Sequence, residues 1–313
     1  MLEGSMKQSF VEDLHRSLVT VYHVSSYLDF PFTLDEVADY FLPGVNISGH
    51  QLRQMMLSGE FGDIPFRLDN GYLLTRPGQD WGIRSIREAI SAEKLKSAGK
   101  FANALVRLVP WIMTIAVTGS VAYGSAGKRD DIDLFIITKR NRLWLSIFFA
   151  LVFVRVFKML RLQPAMLLPF CMSYVHDEHG FRIEARKSVN PLFARELLKA
   201  VPLAGKGHYR RVLEENRWVE TMHASPYVAK LNSLPSYSRK AEAESQIPIL
   251  LDWAEGLAFF FLSRYLRLRA YLTNLKLKSH GQQMRLFDPI LSRNSCMYTS
   301  NFYMWLRELW QEP

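Results

Sequence analysis

Two carboxylates in the middle of the chain have the spacing that brings side chains together on one face of a strand. Asp131 and Asp133 are separated by a single apolar residue in the segment Asp-Ile-Asp-Leu. Successive side chains of an extended strand point to opposite faces, so both carboxylates project to one side while the apolar residues enter the core. Like charges held together are costly unless a cation lies between them, and hard divalent cations prefer oxygen ligands. The pair therefore predicts a site for Mg²⁺ or Mn²⁺.

A glycine-serine turn, Gly119-Ser120, precedes this pair by about ten residues and follows an apolar run at residues 112–117. The pattern predicts a strand, a glycine turn and a second strand. Because glycine has no Cβ, the backbone N–H groups of such a turn can approach a phosphate closely. The turn and the carboxylates together predict a phosphate site that faces a metal site. The alternative is a surface hairpin whose aspartates are only solvated.

The order of these residues resembles the motif of the DNA polymerase β-like nucleotidyltransferase superfamily, with Gly119, Ser120, Asp131 and Asp133 at the matching positions. The resemblance implies that the turn binds the triphosphate of a nucleoside triphosphate. It also implies that the two carboxylates bind Mg²⁺ ions that align a hydroxyl nucleophile with the α-phosphate. A weaker likeness, to poorly characterised prokaryotic nucleotidyltransferase-domain proteins with a helical N-terminal module, includes the segment Arg-Leu-Trp at residues 142–144. The expected acceptor is left open between a small molecule, RNA and a protein.

Many enzymes of this superfamily use a third carboxylate, on a later strand, as general base or second metal ligand. We predict a strand at residues 170–175, a polar turn at residues 176–180 and a return strand at residues 181–185. Glu184, on the return strand, is the candidate for the third catalytic carboxylate, and Asp177 is the alternative. Neither lies in a distinctive motif. A protein that binds nucleotides or nucleic acid without catalysis, and has a regulatory role, is therefore the alternative to an enzyme.

The charge of the chain favours an anionic partner. Its 39 Lys and Arg residues exceed the 30 Asp and Glu residues and give a net charge of +9, which suits a nucleotide or a nucleic acid. Lys139 and Arg140, just after the second strand, are the candidates for binding phosphate or the acceptor; exposed cations at the start of a helix are the alternative. A further set of cations lies on the amphipathic segment 80–109, where we favour a solvated helix face over a role at the site.

The periodicity divides the α+β chain into three parts. Residues 7–80 predict a winged-helix-like module of three helices and an Asn-Gly hairpin, and its third helix carries a single Arg, which favours protein contact over DNA binding. Residues 81–200 predict a nucleotidyltransferase core, a small mixed sheet with helices and a connecting helix. Residues 201–313 predict a helical C-terminal part that includes a long helix over residues 249–278.

The remaining features predict a cytoplasmic protein. No apolar run reaches the roughly 20 residues that a membrane span needs, and the chain starts without the pattern of a signal peptide. Cys171 and Cys296 lie far apart and have the spacing of neither a disulfide framework nor a metal site, which suits a reducing compartment.

Overall fold

The computed structural model describes residues 2–45, 47–58, 66–76, 78–159, 170–237 and 250–310. The N-terminal part consists of α1 (Leu2–Leu28), β1 (Phe32–Thr33), α2 (Leu34–Phe41), α3 (Gly49–Leu57), β2 (Arg67–Asp69) and β3 (Tyr72–Leu74). Its strands form an antiparallel sheet in the order β1-β3-β2. Asn70 and Gly71 join β2 to β3 with φ angles of 49° and 83°, as a two-residue hairpin turn requires. The predicted helices and hairpin of this part are confirmed.

A six-stranded mixed sheet organises the rest of the chain, in the order β7-β4-β5-β6-β9-β8. Its strands are β4 (Ile112–Thr118), β5 (Ile132–Thr138), β6 (Phe170–Asp177), β7 (Val201–Ala204), β8 (Phe287–Leu291) and β9 (Ser295–Ser300). The β5 and β6 pair is parallel, and the other neighbouring strands are antiparallel. The predicted α+β class with a mixed sheet is confirmed.

Helices cover both faces of this sheet. They are α4 (Ile83–Leu108), α5 (Gly119–Ala122), α6 (Leu143–Met159), α7 (Glu178–Lys187), α8 (Pro191–Lys199), α9 (Lys206–Glu215), α10 (Trp218–Met222), α11 (Ala224–Asn232), α12 (Leu250–Ser279) and α13 (Asn301–Glu308). One face packs against α4, α6 and α12 in a cluster that contains Phe101, Trp144 and Leu266. The other face packs against α7, α8 and α9 through Phe181, Phe193 and Tyr209.

Two sequence predictions about this sheet are wrong. The residues predicted as a turn and a return strand, 176–185, instead end β6 and form most of α7, because the Asp177 carboxylate accepts a hydrogen bond from the Gly180 N–H at 2.7 Å and caps a helix there. The C-terminal part is also not only helical. It supplies the edge strand β7, which pairs with β4, and the hairpin of β8 and β9, which joins the sheet through the pairing of β9 with β6.

The cations at the start of α4 make structural contacts, so the predicted solvated face is wrong for them. Arg84 forms a bidentate pair with Glu36 of α2, with two N–O distances of 2.7 Å. Lys94 is buried and donates to backbone carbonyls of the loop before β5. Lys96, Lys100 and Arg107, farther along the helix, are exposed as predicted. The first turns of α4 therefore fasten the N-terminal part to the sheet.

Among the helices within the described ranges, none combines the length and the apolar character that crossing a membrane requires.

Candidate active site

The predicted glycine turn lies where β4 ends. Thr118, the last residue of β4, pairs with Asp133 of β5, and Gly119 follows in the left-handed region with a φ of 64°. A Cβ atom on Gly119 would lie 2.4 Å from Oδ2 of Asp133. Ser120 then continues into α5, a single helical turn whose first N–H groups have no partner within the helix. The turn therefore places backbone donors directly beside a carboxylate.

The two predicted carboxylates lie close together where β5 begins, at one end of the sheet. Carboxylate oxygens of Asp131 and Asp133 and the sulfur of Cys171 all lie within 4.8 Å of one another. Asp131 is exposed and Asp133 is half-buried. Burial and the neighbouring charge of Asp131 raise the pKa of Asp133 to about 7, against the opposing effect of a hydrogen bond with Ser173. Such uncompensated negative charge is the environment that a divalent cation stabilises.

Cys171 joins this group through the pairing of two strands that are distant in sequence. It lies at the start of β6, in register with Asp133 on the parallel neighbour β5. The register shifts before Phe135, which pairs with Tyr174, so that β6 has an extra residue at this point and Ser173 also reaches Asp133. Burial, Asp133 and Asp131 raise the pKa of the Cys171 thiol, and Arg269 opposes this in part. The spacing of the cysteines along the chain gives no signal of this pairing, so the sequence did not place Cys171 beside the carboxylates.

The predicted third carboxylates lie elsewhere. Glu184 is on α7 and accepts a hydrogen bond from the Ser188 hydroxyl at 2.6 Å. Asp177 pairs with Thr138, at the opposite end of β5 from Asp133, and is buried. Its carboxylate accepts hydrogen bonds from the N–H groups of Gly180 and Asn141 and from the Asn294 amide. Neither residue is brought into the group around Asp133.

Glu196 of α8 is a carboxylate that does act on the site. Its charge contributes to the raised pKa of Asp133, after the effects of burial and Asp131. Glu196 accepts a hydrogen bond from the Tyr123 hydroxyl at 2.8 Å, and that hydroxyl accepts one from Arg195 Nε at 2.9 Å. Because Tyr123 directly follows α5, this network links α8 to the turn that carries Gly119.

The structure does not bring Lys139 and Arg140 to the carboxylates. Both follow the C-terminal end of β5, whereas Asp133 lies near its start, and Lys139 N–H donates to the Trp111 carbonyl. Six residues of extended chain, at about 3.3 Å each, separate Lys139 from Asp133 by on the order of 20 Å. The prediction relied on closeness in sequence, but the two ends of an extended strand lie far apart.

A cation from α12 lies near Cys171. Arg269 is exposed, and its charge acts on both the Cys171 thiol and the Tyr298 hydroxyl. The helix is fixed against the core because the Glu255 carboxylate accepts hydrogen bonds from the first N–H groups of α6, at Trp144 and Leu145. The sequence showed Arg269 only as one of several cations on a long helix.

A buried lysine of α4 holds the loop between the glycine turn and the carboxylates. The Lys94 ammonium donates to the carbonyl of Gly127 at 2.8 Å and also to that of Asp130. The Asp130 carboxylate accepts from the Gly127 N–H at 2.8 Å, so it closes the loop and does not join the metal group. These hydrogen bonds hold the loop that leads to Asp131 against α4.

Residues 99–200 match the family model described as a nucleotidyltransferase domain. The matched range begins within α4 and ends after α8, and it includes the glycine turn, the carboxylate pair and Cys171. This match supports, for this part of the chain, the resemblance that the motif indicates and a general role in nucleotidyl transfer. Comparisons with curated proteins and with solved structures give no match.

Proposed function

We propose that this protein transfers a nucleoside monophosphate from a nucleoside triphosphate to a hydroxyl acceptor and releases pyrophosphate. The observation that carries the proposal is the contact between Gly119 and Asp133, with Asp131 within 4.8 Å, inside the range that matches the nucleotidyltransferase domain. Such a transfer needs a backbone site that binds phosphate and a pair of carboxylates beside it.

The donor set fits a divalent cation, and we propose Mg²⁺ or Mn²⁺ as the cofactor. Asp131 and Asp133 offer oxygen ligands, and the raised pKa of Asp133 shows that their mutual repulsion is not compensated within the protein. When bound, such a cation supplies Lewis acidity at a phosphoryl oxygen and favours ionisation of the attacking hydroxyl.

The protein itself contributes position and charge. In this proposal the N–H groups of the turn at Gly119 and Ser120 bind the triphosphate, and Arg269 neutralises part of its negative charge. Ser173 orients the Asp133 carboxylate through their hydrogen bond. Glu184, Lys139 and Arg140 have no part in this proposal, because the structure places them away from the carboxylates. Little covalent chemistry is required of these residues, since phosphoryl transfer is accelerated mainly by alignment and electrostatic stabilisation.

We also propose that the N-terminal part is a winged-helix module that serves as a contact domain. Support comes from the order of its three helices and three strands along the chain and from its β1-β3-β2 sheet. Its α2 contacts the core through Glu36, which pairs with Arg84, and through Tyr40, whose ring lies 3.9 Å from the Lys199 ammonium. These contacts, and the single Arg on α3, favour packing over DNA binding.

The experiment that tests the proposed function combines binding and turnover. Isothermal titration with each nucleoside triphosphate and Mg²⁺ or Mn²⁺ measures binding, and incubation of labelled triphosphates with RNA, protein extract and small-molecule pools identifies the acceptor. We expect Asp131→Asn and Asp133→Asn to abolish incorporation of label. Asp288→Asn, at an exposed position of β8 in the same sheet, is the matched control and should leave incorporation unchanged.

Two outcomes would contradict the proposal. If no triphosphate binds and both aspartate variants behave like the wild type, the nucleotide site itself is disproved. If a triphosphate binds but no fraction incorporates label, the protein is the non-catalytic binding protein that the sequence left as an alternative.

A further inference from the structure

We infer that Cys171 is a third ligand of the metal site, and that the site consequently favours softer divalent cations than a site of carboxylates alone. The inference rests on the proposed function, because it assumes that Asp131 and Asp133 bind a divalent cation.

The sheet places the Cys171 sulfur where a third ligand is needed. Cys171 is in register with Asp133 on the adjacent parallel strand, and its sulfur lies within 4.8 Å of a carboxylate oxygen of each aspartate. Neighbouring side chains in register on parallel strands lie on the same face of a sheet. Three donor atoms, from β5, from the residue just before it and from β6, therefore lie close enough together to be ligands of a single ion.

The part of the chain that the structure describes offers no other titratable ligand at this position. The group of His, Cys, Asp and Glu side chains that meets here consists of Asp131, Asp133 and Cys171. Glu184 and Asp177, the carboxylates expected for this role, are bonded to other partners away from it. Cys171 thus takes the place that the superfamily resemblance predicts for a carboxylate.

Cys296, in the same sheet, has different surroundings: it packs in an apolar cluster and hydrogen-bonds Tyr298. It lies on β9, is buried, and belongs to the apolar cluster that contains Trp144 and Leu266. Cys171 is half-buried beside two carboxylates and is not a member of that cluster. A small apolar side chain gains little from such surroundings, whereas a metal ligand requires them.

The ligand set determines which ions bind well. Carboxylates suit Mg²⁺ and Mn²⁺, while a thiolate favours softer ions such as Zn²⁺ and Co²⁺. A site of two carboxylates and one thiolate is expected to bind Co²⁺, Zn²⁺ and Mn²⁺ more tightly than Mg²⁺. Loss of the thiolate should reduce affinity for the softer ions much more than affinity for Mg²⁺.

Cobalt titration of the full chain tests the inference without measuring activity. Thiolate ligation gives Co²⁺ an intense sulfur-to-metal charge-transfer band in the near ultraviolet, which oxygen ligands do not give. We expect the wild type to show this band, Cys171→Ser to lose it together with about tenfold or more of its Co²⁺ affinity, and Cys296→Ser to keep both. Cys171→Asp should bind Co²⁺ without the band and should gain affinity for Mg²⁺. Circular dichroism establishes that each variant is folded, and Cys171→Ala serves where the serine variant is not.

The outcomes separate this inference from the function on which it rests. If the wild type binds Co²⁺ without showing the charge-transfer band, or if Cys171→Ser still shows that band, then Cys171 is not a ligand. If in that case Asp131→Asn still abolishes Co²⁺ binding, the metal site and the proposed function stand while the inference fails. If the wild type binds no divalent cation, or Asp131→Asn and Asp133→Asn bind Co²⁺ as the wild type does, the metal site and the inference fall together.

Discussion

Gly119 and Asp133 are in direct contact, so close that a methyl group on Gly119 would lie 2.4 Å from the Asp133 carboxylate oxygen. The contact follows from the pairing of Thr118 with Asp133 at the end of two antiparallel strands, which brings the residue after β4 onto the second residue of β5. The φ of 64° at Gly119 adds a second reason for glycine, because side chains strain the backbone in that region. The turn that we propose binds phosphate and the carboxylate that we propose binds metal are therefore one structural unit.

Gly119→Ala is expected to reduce nucleotidyl transfer by about a hundredfold, because the new methyl group must displace Asp133 by a distance of about 1 Å or more. Divalent cation affinity should fall with it, since the carboxylate moves away from Asp131. Incorporation of label and titration of Mn²⁺ measure the two effects. Gly99→Ala is the matched control: a Cβ at this helical position meets no atom within 4 Å, and the substitution should leave activity unchanged. An active Gly119→Ala protein would show that the turn does not set the position of Asp133.

Arg269→Gln is expected to weaken binding of the nucleoside triphosphate roughly tenfold, because a charge-assisted hydrogen bond to phosphate is lost. Lys139→Gln, which removes a cation at the far end of β5, should leave that affinity unchanged. Isothermal titration at two salt concentrations measures both variants, and the effect of Arg269 should diminish at the higher salt concentration. If Lys139→Gln weakened triphosphate binding and Arg269→Gln did not, the assignment based on sequence proximity would be favoured over the one based on the structure.

The buried imidazole of His176 is expected to make stability depend on pH. Burial lowers its pKa from 6.5 to about 3, while Nδ1 lies 2.9 Å from the Ser295 hydroxyl. The unfolded chain therefore binds the proton first. The stability contributed by neutral His176 is fully present above pH 6.5 and is lost as the pH falls toward 3, at about 1.4 kcal/mol per pH unit.

Denaturant unfolding of the wild type and of His176→Gln at pH 7, 6 and 5 measures this slope. Between pH 6.5 and pH 5, the free energy of unfolding of His176→Gln should depend less steeply on pH than that of the wild type, by up to about 1.4 kcal/mol per pH unit. His179→Gln, an exposed imidazole on the adjacent helix, should keep the slope of the wild type. Equal slopes for the wild type and His176→Gln would show that His176 is not held neutral in the folded protein.

The central site was predictable where its parts are close in sequence. Strand alternation fixes Asp131 and Asp133 on one side, and an apolar run that ends in Gly119 marks the turn. Lys139 shows the limit of the same reasoning, because a residue near a ligand in sequence lies far from it once a strand intervenes. Glu184 was misplaced because a single capping contact, from Asp177 to Gly180, starts a helix where a polar turn was expected.

The parts that could not be predicted depend on pairings between distant segments. Cys171 meets Asp133 only because β6 is the parallel neighbour of β5 in one register, and a slip of one residue would turn its side chain to the other face. Arg269 acts on Cys171 from α12, a helix that Glu255 holds against α6. These relationships depend on packing and on hydrogen bonds between distant segments. The residues within one segment do not predict them.

The contacts of the N-terminal part limit how this protein can be divided for experiments. Leu18 and Phe41 belong to the same apolar cluster as Leu192 of α8 and Leu306 of α13, and Glu36 holds Arg84 of the helix that leads into the core. A fragment without the first 80 residues would expose apolar surface on two helices and leave the Arg84 guanidinium with Glu88 but without Glu36. The domain match at residues 99–200 is therefore a poor guide to a truncation, and biochemical work on the active site requires the whole chain.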